Sequence, residues 1–288
     1  MRQLAAVRPA FSTSVNLLLI ALAMTWTLLP IYWTFTTSIS PERELTTVPA
    51  PWFPAHPTLA RYRDIFLQEL GTTRAFKAGL QNSLVVGLST AAVSVIFGSL
   101  AAYAIARLGV LSGRWVLFGL LFIQMIPPIV FITSLYVLAS RFHMLDRKIT
   151  LILIYSALNI PLAIWVLRGY FLTIPLELED AGLIDGCNPV QVLFRIVLPL
   201  SGPALFTTGI FTFIASWGEF LIALVFTSSL SAQTMPVTIA GLLGRFTVDY
   251  GLMTTAGIIA AVPPIVIALI FQRFIVEGLT AGALRYAE

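Results

Sequence analysis

The sequence predicts an all-α, polytopic membrane protein with six transmembrane helices. Composition is the first reason: apolar residues make up 58% of the 288 residues and charged residues 10%, and the mean hydropathy is +0.92. A soluble domain of ordinary composition holds about 45–50% apolar and about 25% charged residues, so this chain cannot coat a water-facing surface. Distribution is the second. A bilayer core needs roughly 20 apolar residues as helix. Runs that long or nearly so fall at about 15–37, 80–105, 115–140, 149–170, 204–227 and 252–275.

The first run follows Arg2 and Arg8, a pattern that can mimic a signal peptide. It continues without a small-x-small cleavage site, so it reads as a retained span. Trp26, Tyr32 and Trp33 suit its outer end, where aromatic rings anchor at the interface. A proline-rich loop follows over 36–77, with a short amphipathic helix expected around Tyr62–Leu70. The second run is rich in small residues, among them Gly87, Ala91, Gly98 and Ala102, which lets helix backbones approach closely. Pro127-Pro128 interrupts the third run, and the charged turn 141–148 separates it from the fourth, which carries Asn159 and Pro161. The fifth contains Trp217, Gly218 and Glu219. The sixth is expected to break at Pro263-Pro264 before a short tail, 277–288. With no internal repeat and no soluble segment, residues 1–288 read as a single membrane domain.

One polar interval is more sharply punctuated than the rest. Between Thr173 and Pro203 lie four of the thirteen acidic residues, Glu177, Glu179, Asp180 and Asp185. Local rules read helix, turn, helix. Thr173 caps a first helix with Pro175 in its first turn, and the acids sit near the positive helix end. Gly186 stops that helix in the left-handed region. Asn188, Pro189 and Gln191 then have capping-box spacing, and Leu198-Pro199 ends or bends the second helix.

Much chemistry is absent from the sequence. It has no Gly-x-x-x-x-Gly-Lys-Ser/Thr loop to cradle a nucleotide, and no Ser/His/Asp or metal-ligand constellation. The one cysteine, Cys187, forbids an internal disulfide and a Cys-based metal cluster; His56 and His143 lie in different polar intervals. The formal charge of +4 comes without a basic run interleaved with aromatics, so it speaks for lipid contact and topology rather than nucleic acid. No cofactor is called for. The exception inside the membrane is Glu219, since an ionisable residue there costs about 2.5–3.5 kcal/mol on insertion scales. It either lines a translocation pathway together with Trp217 and Asn159, or pairs with a partner-chain side chain or water.

The run Glu179-Asp180-Ala181-Gly182-Leu183-Ile184-Asp185-Gly186, with Phe194, Leu198-Pro199 and Pro203 behind it, resembles the EAA loop of ABC-importer permeases. The family's Glu-Ala-Ala falls on Asp180-Ala181-Gly182, and its final Ala on Cys187. Here Glu to Asp shortens the reach, and Ala to Gly weakens the first helix by about 1 kcal/mol. The tail from Gln272 to Ala283 is similar to that of carbohydrate-importer permeases of the maltose-transporter type, specifically the second, six-span partner.

The resemblance implies the type I ABC importer permease fold and a non-enzymatic subunit of a sugar importer. Residues Glu177, Glu179, Asp180, Ala181, Gly182, Asp185 and Gly186 would then form the loop that couples to the ATPase. It also implies a second permease forming a heterodimer, two ATP-binding subunits, an extracytoplasmic substrate-binding protein, and the cytoplasmic membrane of a prokaryote. Six spans put both termini on one side, and the resemblance makes that side the cytoplasm. The alternatives are a same-fold permease for glycerol phosphate or a polyamine, an ion-coupled secondary transporter, and an intramembrane enzyme. In the sugar permeases a loop at the position of Ser231–Tyr250, with Pro236, Gly241, Gly244 and Arg245, reaches toward the binding protein.

Overall fold

The computed structural model describes residues 10–49, 51–67, 71–109, 113–242 and 249–283, and these form helices and connecting turns with no strand among them. In order the helices are α1 (Ala10–Ile39), α2 (Glu42–Leu45), α3 (Ala60–Leu67), α4 (Gly71–Arg107), α5 (Gly113–Gln124), α6 (Ile129–Arg141) and α7 (Lys148–Phe171). There follow α8 (Leu176–Ile184), α9 (Pro189–Val192), a π-helical turn (Leu193–Val197), α10 (Leu198–Leu200), α11 (Gly202–Trp217), α12 (Leu221–Phe226), α13 (Met235–Gly241) and α14 (Tyr250–Ala283). Among the described residues four helices are long and apolar enough to cross a membrane, and up to six spans result if two sharply bent helix pairs each count as one.

The chain divides into two compact units, with α14 contributing to both. In the first, residues 1–69 and 242–259, the proline-rich segment folds back on the end of α1. The Ser38 hydroxyl lies 2.7 Å from the Tyr62 hydroxyl on α3, and Thr255 Oγ1 donates to the Ser38 carbonyl at 3.2 Å. Glu44 accepts from the N–H groups of Ala55 and His56 at 2.9 and 3.2 Å.

The second unit, residues 70–241 and 260–288, is built around α4, which packs on α7, α11 and α13. Glycine makes the α4–α7 crossing possible. A Cβ at Gly98 would lie 2.7 Å from the Ala163 Cβ and 3.4 Å from its carbonyl carbon. Two apolar clusters result. Tyr103, Leu167, Phe171, Val192 and Val197 gather at the C-terminal end of α4. Val86, Leu151, Tyr155, Ile222 and Phe226 gather toward its N-terminal end.

Several helices depart from the sequence expectation, each for a physical reason. The second span begins at Thr73 rather than 80, because Arg74, Lys77 and Gln81 are polar yet good helix formers. Helix α4 is therefore about 55 Å long, against about 30 Å of hydrocarbon. The third run folds as two helices at 89°, broken where Pro127 and Pro128 cannot donate. The fifth run is no single helix either: α11 stops at Trp217 and α12 restarts at Leu221.

The sixth run shows the opposite correction. Helix α14 passes unbroken through Pro263 and Pro264 and on to Ala283. Pro264 has no N–H for the carbonyl of Ala260, four residues back. Trp217 Nε1 takes that place, donating to the Ala260 carbonyl at 3.1 Å while its ring is buried against Phe213. Trp217→Phe leaves that carbonyl unpaired and is expected to cost about 1–3 kcal/mol, read as a lowered unfolding midpoint of the detergent-solubilised protein. Adding Pro264→Ala returns a backbone donor and should recover most of the loss. If the double variant is no more stable than the single one, the hydrogen bond is not what holds α14 together there.

Candidate functional site

The interval 173–203 folds as helix, turn, helix, with a different start from the one expected. Helix α8 begins after Pro175, and no side chain caps it. Thr173 instead donates its hydroxyl to the Tyr170 carbonyl at 2.7 Å, closing the end of α7. A residue preceding proline disfavours helical backbone, so no helix can start at Ile174. At the other end the Cys187 N–H reaches the Gly182 carbonyl at 3.0 Å and the Gly186 N–H reaches Leu183 at 3.1 Å. This is a Schellman closure, and it requires the positive φ of +87° found at Gly186. Asn188 and Gln191 form the reciprocal capping box at 2.9 and 2.8 Å.

Beyond α9 the backbone widens into the π-helical turn, where the Leu198 N–H reaches back five residues to Leu193. Pro199 has no N–H to offer Arg195, so the tight ladder is interrupted at that point. At Ser201 the chain turns by 81° into α11.

The acids of α8 and its C-cap, Asp185, divide between two faces. Glu177, Asp180 and Asp185 are exposed, as is Ala181, while Glu179 and Gly182 share the buried face. Glu179 is 5% exposed. Its carboxylate lies 2.7 Å from Arg107 Nε and accepts from the Tyr103 hydroxyl at 3.2 Å. Arg107 Nη2 in turn donates to the carbonyls of Phe171 and Ile174 at 2.8 and 2.6 Å. A buried pair of this kind is costly to break from one side, about 3–5 kcal/mol. Gly182 lets α8 approach the π-helical turn, since a Cβ there would sit 2.6 Å from Ile196 Cδ1. Neither Tyr103 nor Arg107 stood out in the sequence, where Arg107 reads as an ordinary basic flank of a span.

The three residues expected along a translocation pathway are committed to other atoms of this chain. Trp217 holds the Ala260 carbonyl. Asn159 Nδ2 donates to the Tyr155 carbonyl at 2.8 Å, one turn back. Glu219 accepts from the Tyr155 hydroxyl at 2.6 Å and from the backbone N–H groups of Ile222 and Ala223 at 2.9 and 3.2 Å. It thus caps α12 where the backbone has left α11. Tyr155 is 1% exposed, so its hydroxyl also finds a partner in this contact.

At the opposite end of α4 from α8, a second polar knot gathers. Asn82 Nδ2 donates to the carbonyls of Leu230 and Gln233, both at 2.9 Å, and Lys148 Nζ donates to Asn82 Oδ1 at 3.1 Å. Ser83 Oγ accepts from the Met235 N–H at 2.7 Å. The interval 231–250 thus contains a packed helix, α13; Gly244 and Arg245 lie outside the described residues. Asp146, in the turn after α6, accepts from the N–H groups of Ser228 and Ser229 at 2.9 and 3.0 Å.

The bundle thus exposes an acidic helix, α8, closed at its C-terminal end by the Schellman turn at Gly186. The chain belongs to the family of binding-protein-dependent transport system inner membrane components, whose pattern matches residues 94–281. The sulfoquinovosyl glycerol transport system permease protein SmoH of Agrobacterium fabrum is 36% identical over 258 residues, 90% of this chain and 89% of that one. The trehalose transport system permease protein SugB of Mycobacterium tuberculosis is 37% identical over 266 residues, 92% of this chain and 94% of that one. In fold the chain is similar to a subunit of a bacterial ABC transporter involved in import of the acidic polysaccharide alginate. The TM-score is 0.78 at 20% identity, covering 94% of this chain and 99% of that one. Membership makes this a transport subunit and sets aside the ion-coupled and intramembrane-enzyme alternatives.

Asp146 gives a pH test of the polar knot. Partial burial raises its pKa, but hydrogen bonds from Ser229 and Ser228 outweigh that and hold it below the ordinary aspartate value. A depressed folded-state pKa stabilises above the unfolded value of about 3.9, and that stability is lost as pH falls through the folded value. The unfolding midpoint of the wild type should therefore exceed that of Asp146→Asn near neutrality, and the gap should close in acid. A gap that persists unchanged at the lowest workable pH would rule out ionised Asp146 as its source.

Proposed function

We propose that this chain is one permease subunit of an ATP-driven importer for carbohydrate, with residues 1–288 acting as one membrane domain. It pairs with a second, different permease. Two ATP-binding subunits supply the hydrolysis that this chain lacks the motif for, and an extracytoplasmic binding protein delivers the solute. The carbohydrate reading rests on the relatives named for trehalose and sulfoquinovosyl glycerol transport. Trp217, Glu219 and Asn159 keep their proposed place along the translocation pathway, with Trp217 joining α11 to α14, Glu219 joining α12 to α7, and Asn159 on α7 itself.

The observation that carries the coupling assignment is the outer face of α8 and the turn after it. Glu177, Asp180 and Asp185 are exposed there beside Ile184, Val190 and Phe194, which are 86%, 61% and 56% exposed. Firm stops at both ends of the turn fix that face. Such a surface suits a groove with an apolar floor and a basic rim on an ATPase. Asp180, at the position of the family's Glu, is the residue that meets the basic side chain. In the reconstituted complex Asp180→Lys should leave insertion intact and lower ATP hydrolysis stimulated by loaded binding protein at least several-fold. Wild-type stimulation and uptake in that variant would remove Asp180 from the coupling surface.

The coupling assignment also orients the chain, with both termini and 173–203 in the cytoplasm of a prokaryotic cell and 228–241 outside. In favour of it, α8 and α13 pack at opposite ends of α4. With Cys187 replaced by Ser, cysteines at Thr47 and Ser231 should react with an impermeant maleimide in intact cells. One at Val190 should react only after permeabilisation. The reverse pattern would invert the orientation.

A further inference from the structure

The exposed acids of α8 face outward, but its buried acid points to where a push on α8 would go. Two routes leave this helix. Along the chain, the route to α11 passes the π-helical turn, Pro199 and the 81° bend at Ser201, three places where the ladder is interrupted or turned. Across space, the route to α4 passes a 2.7 Å ion pair whose side chains are 8% and 7% exposed, tightened by the Tyr103 hydroxyl. Arg107 also holds the carbonyls of Phe171 and Ile174, so the end of α7 and the start of the loop are tied into the same clamp. Helix α4 itself runs 37 residues without a proline. At its far end Asn82 and Ser83 hold the connector at Leu230, Gln233 and Met235.

We propose that Glu179 is a positioning residue that, clamped by Arg107, makes α8 and α4 one rigid body. Movement imposed on α8 is thereby delivered through α4 to the connector at its other end. The inference rests on the reading of α8 as the ATPase-facing helix. It differs from a lever that works on α11, because the sequence-adjacent route is the compliant one. The short exposed Asp180 meets the partner, and the longer buried Glu179 passes the motion inward. Charge is essential to the clamp: a neutral partner leaves the Arg107 guanidinium uncompensated away from water.

The test uses the full complex, with both permeases and the ATPase subunits, in lipid nanodiscs. Spin labels are placed at Leu176→Cys on α8 and Leu100→Cys on α4, both exposed positions, with Cys187→Ser in the background. Distances are measured without nucleotide and after trapping with ATP and vanadate. The expected result is one narrow distance, unchanged between the two states. In Glu179→Gln the ATPase subunits should still co-purify and hydrolyse ATP, but the distance should broaden and shift on trapping. Tyr103→Phe, which removes a donor and no charge, should leave the distance narrow. A wild-type distance that shifts between states as much as that of Glu179→Gln overturns the rigid body without depending on any variant folding. Full co-purification and hydrolysis in Asp180→Lys instead overturns the reading of α8 beneath it, a result separable from the distance measurement.

Discussion

A backbone carbonyl or N–H that leaves the helical ladder inside an apolar bundle has no water to turn to, and this constraint accounts for where the chain's few polar side chains sit. The Ala260 carbonyl, deprived by Pro264, is met by Trp217 Nε1. The free N–H groups at the start of α12 are met by Glu219, whose remaining capacity takes the buried Tyr155 hydroxyl. The last carbonyl of α7, at Phe171, and that of Ile174 in the turn beyond it are met by Arg107, whose charge is balanced by Glu179. In each case the donor or acceptor arrives from another helix or from across a break. With 10% charged residues, the chain has few to spare for anything else.

The same economy explains α4. A helix that must pack on α7, α11 and α13 along its length can afford neither a kink nor a bulky stripe on those faces. The Gly98 contact with Ala163 brings the α4 and α7 backbones close, and Gly87 accepts the ring of Phe213 in the same manner. Hydrophobicity gives little driving force between helices in lipid, so this fit and the polar clamps at the two ends carry the association. The apolar clusters at each end of α4 then stand on either side of a middle stretch where Thr90 and Ser94 are fully buried.

How much of this the sequence discloses depends on the range of the interaction. Gly186 and the Asn188–Gln191 box follow from neighbours a few residues away, and each is where local chemistry puts it; the short helix expected around Tyr62–Leu70 overlaps α3, Ala60–Leu67, and residues 68–70 lie outside the described residues. The helix start at Leu176 is local as well, since the effect of Pro175 on its predecessor outweighs the capping preference of Thr173. The continuity of α14 was not legible, because its missing donor comes from Trp217, 43 residues away. Nor was the break at Gly218–Phe220. Hydropathy reads 204–227 as one run, and only the Glu219 carboxylate, which costs too much to leave bare, marks the place where the helix ends and restarts. The partner of Glu179 likewise lies 72 positions away at Arg107, a residue that charge counting assigns to the membrane boundary.

Adjacent acids on a helix lie about 100° apart, so Glu179 and Asp180 cannot serve the same surface. That geometry divides their energetic roles as well. An exposed ion pair is worth about 0–1 kcal/mol and is weakened by salt, so Asp180 can orient a partner and exclude wrong ones but supplies little affinity. The affinity of a docked ATPase then has to come from burying Ile184, Val190 and Phe194, which are large, apolar and exposed beside it. Glu179 has the opposite character. Away from water its pairing is strong and its loss expensive, so it holds geometry rather than partner choice. Gly182, where the family has Ala, is consistent with this division: the helix propensity it gives up lies on the buried face, where it lets α8 approach Ile196, and the exposed face keeps its side chains.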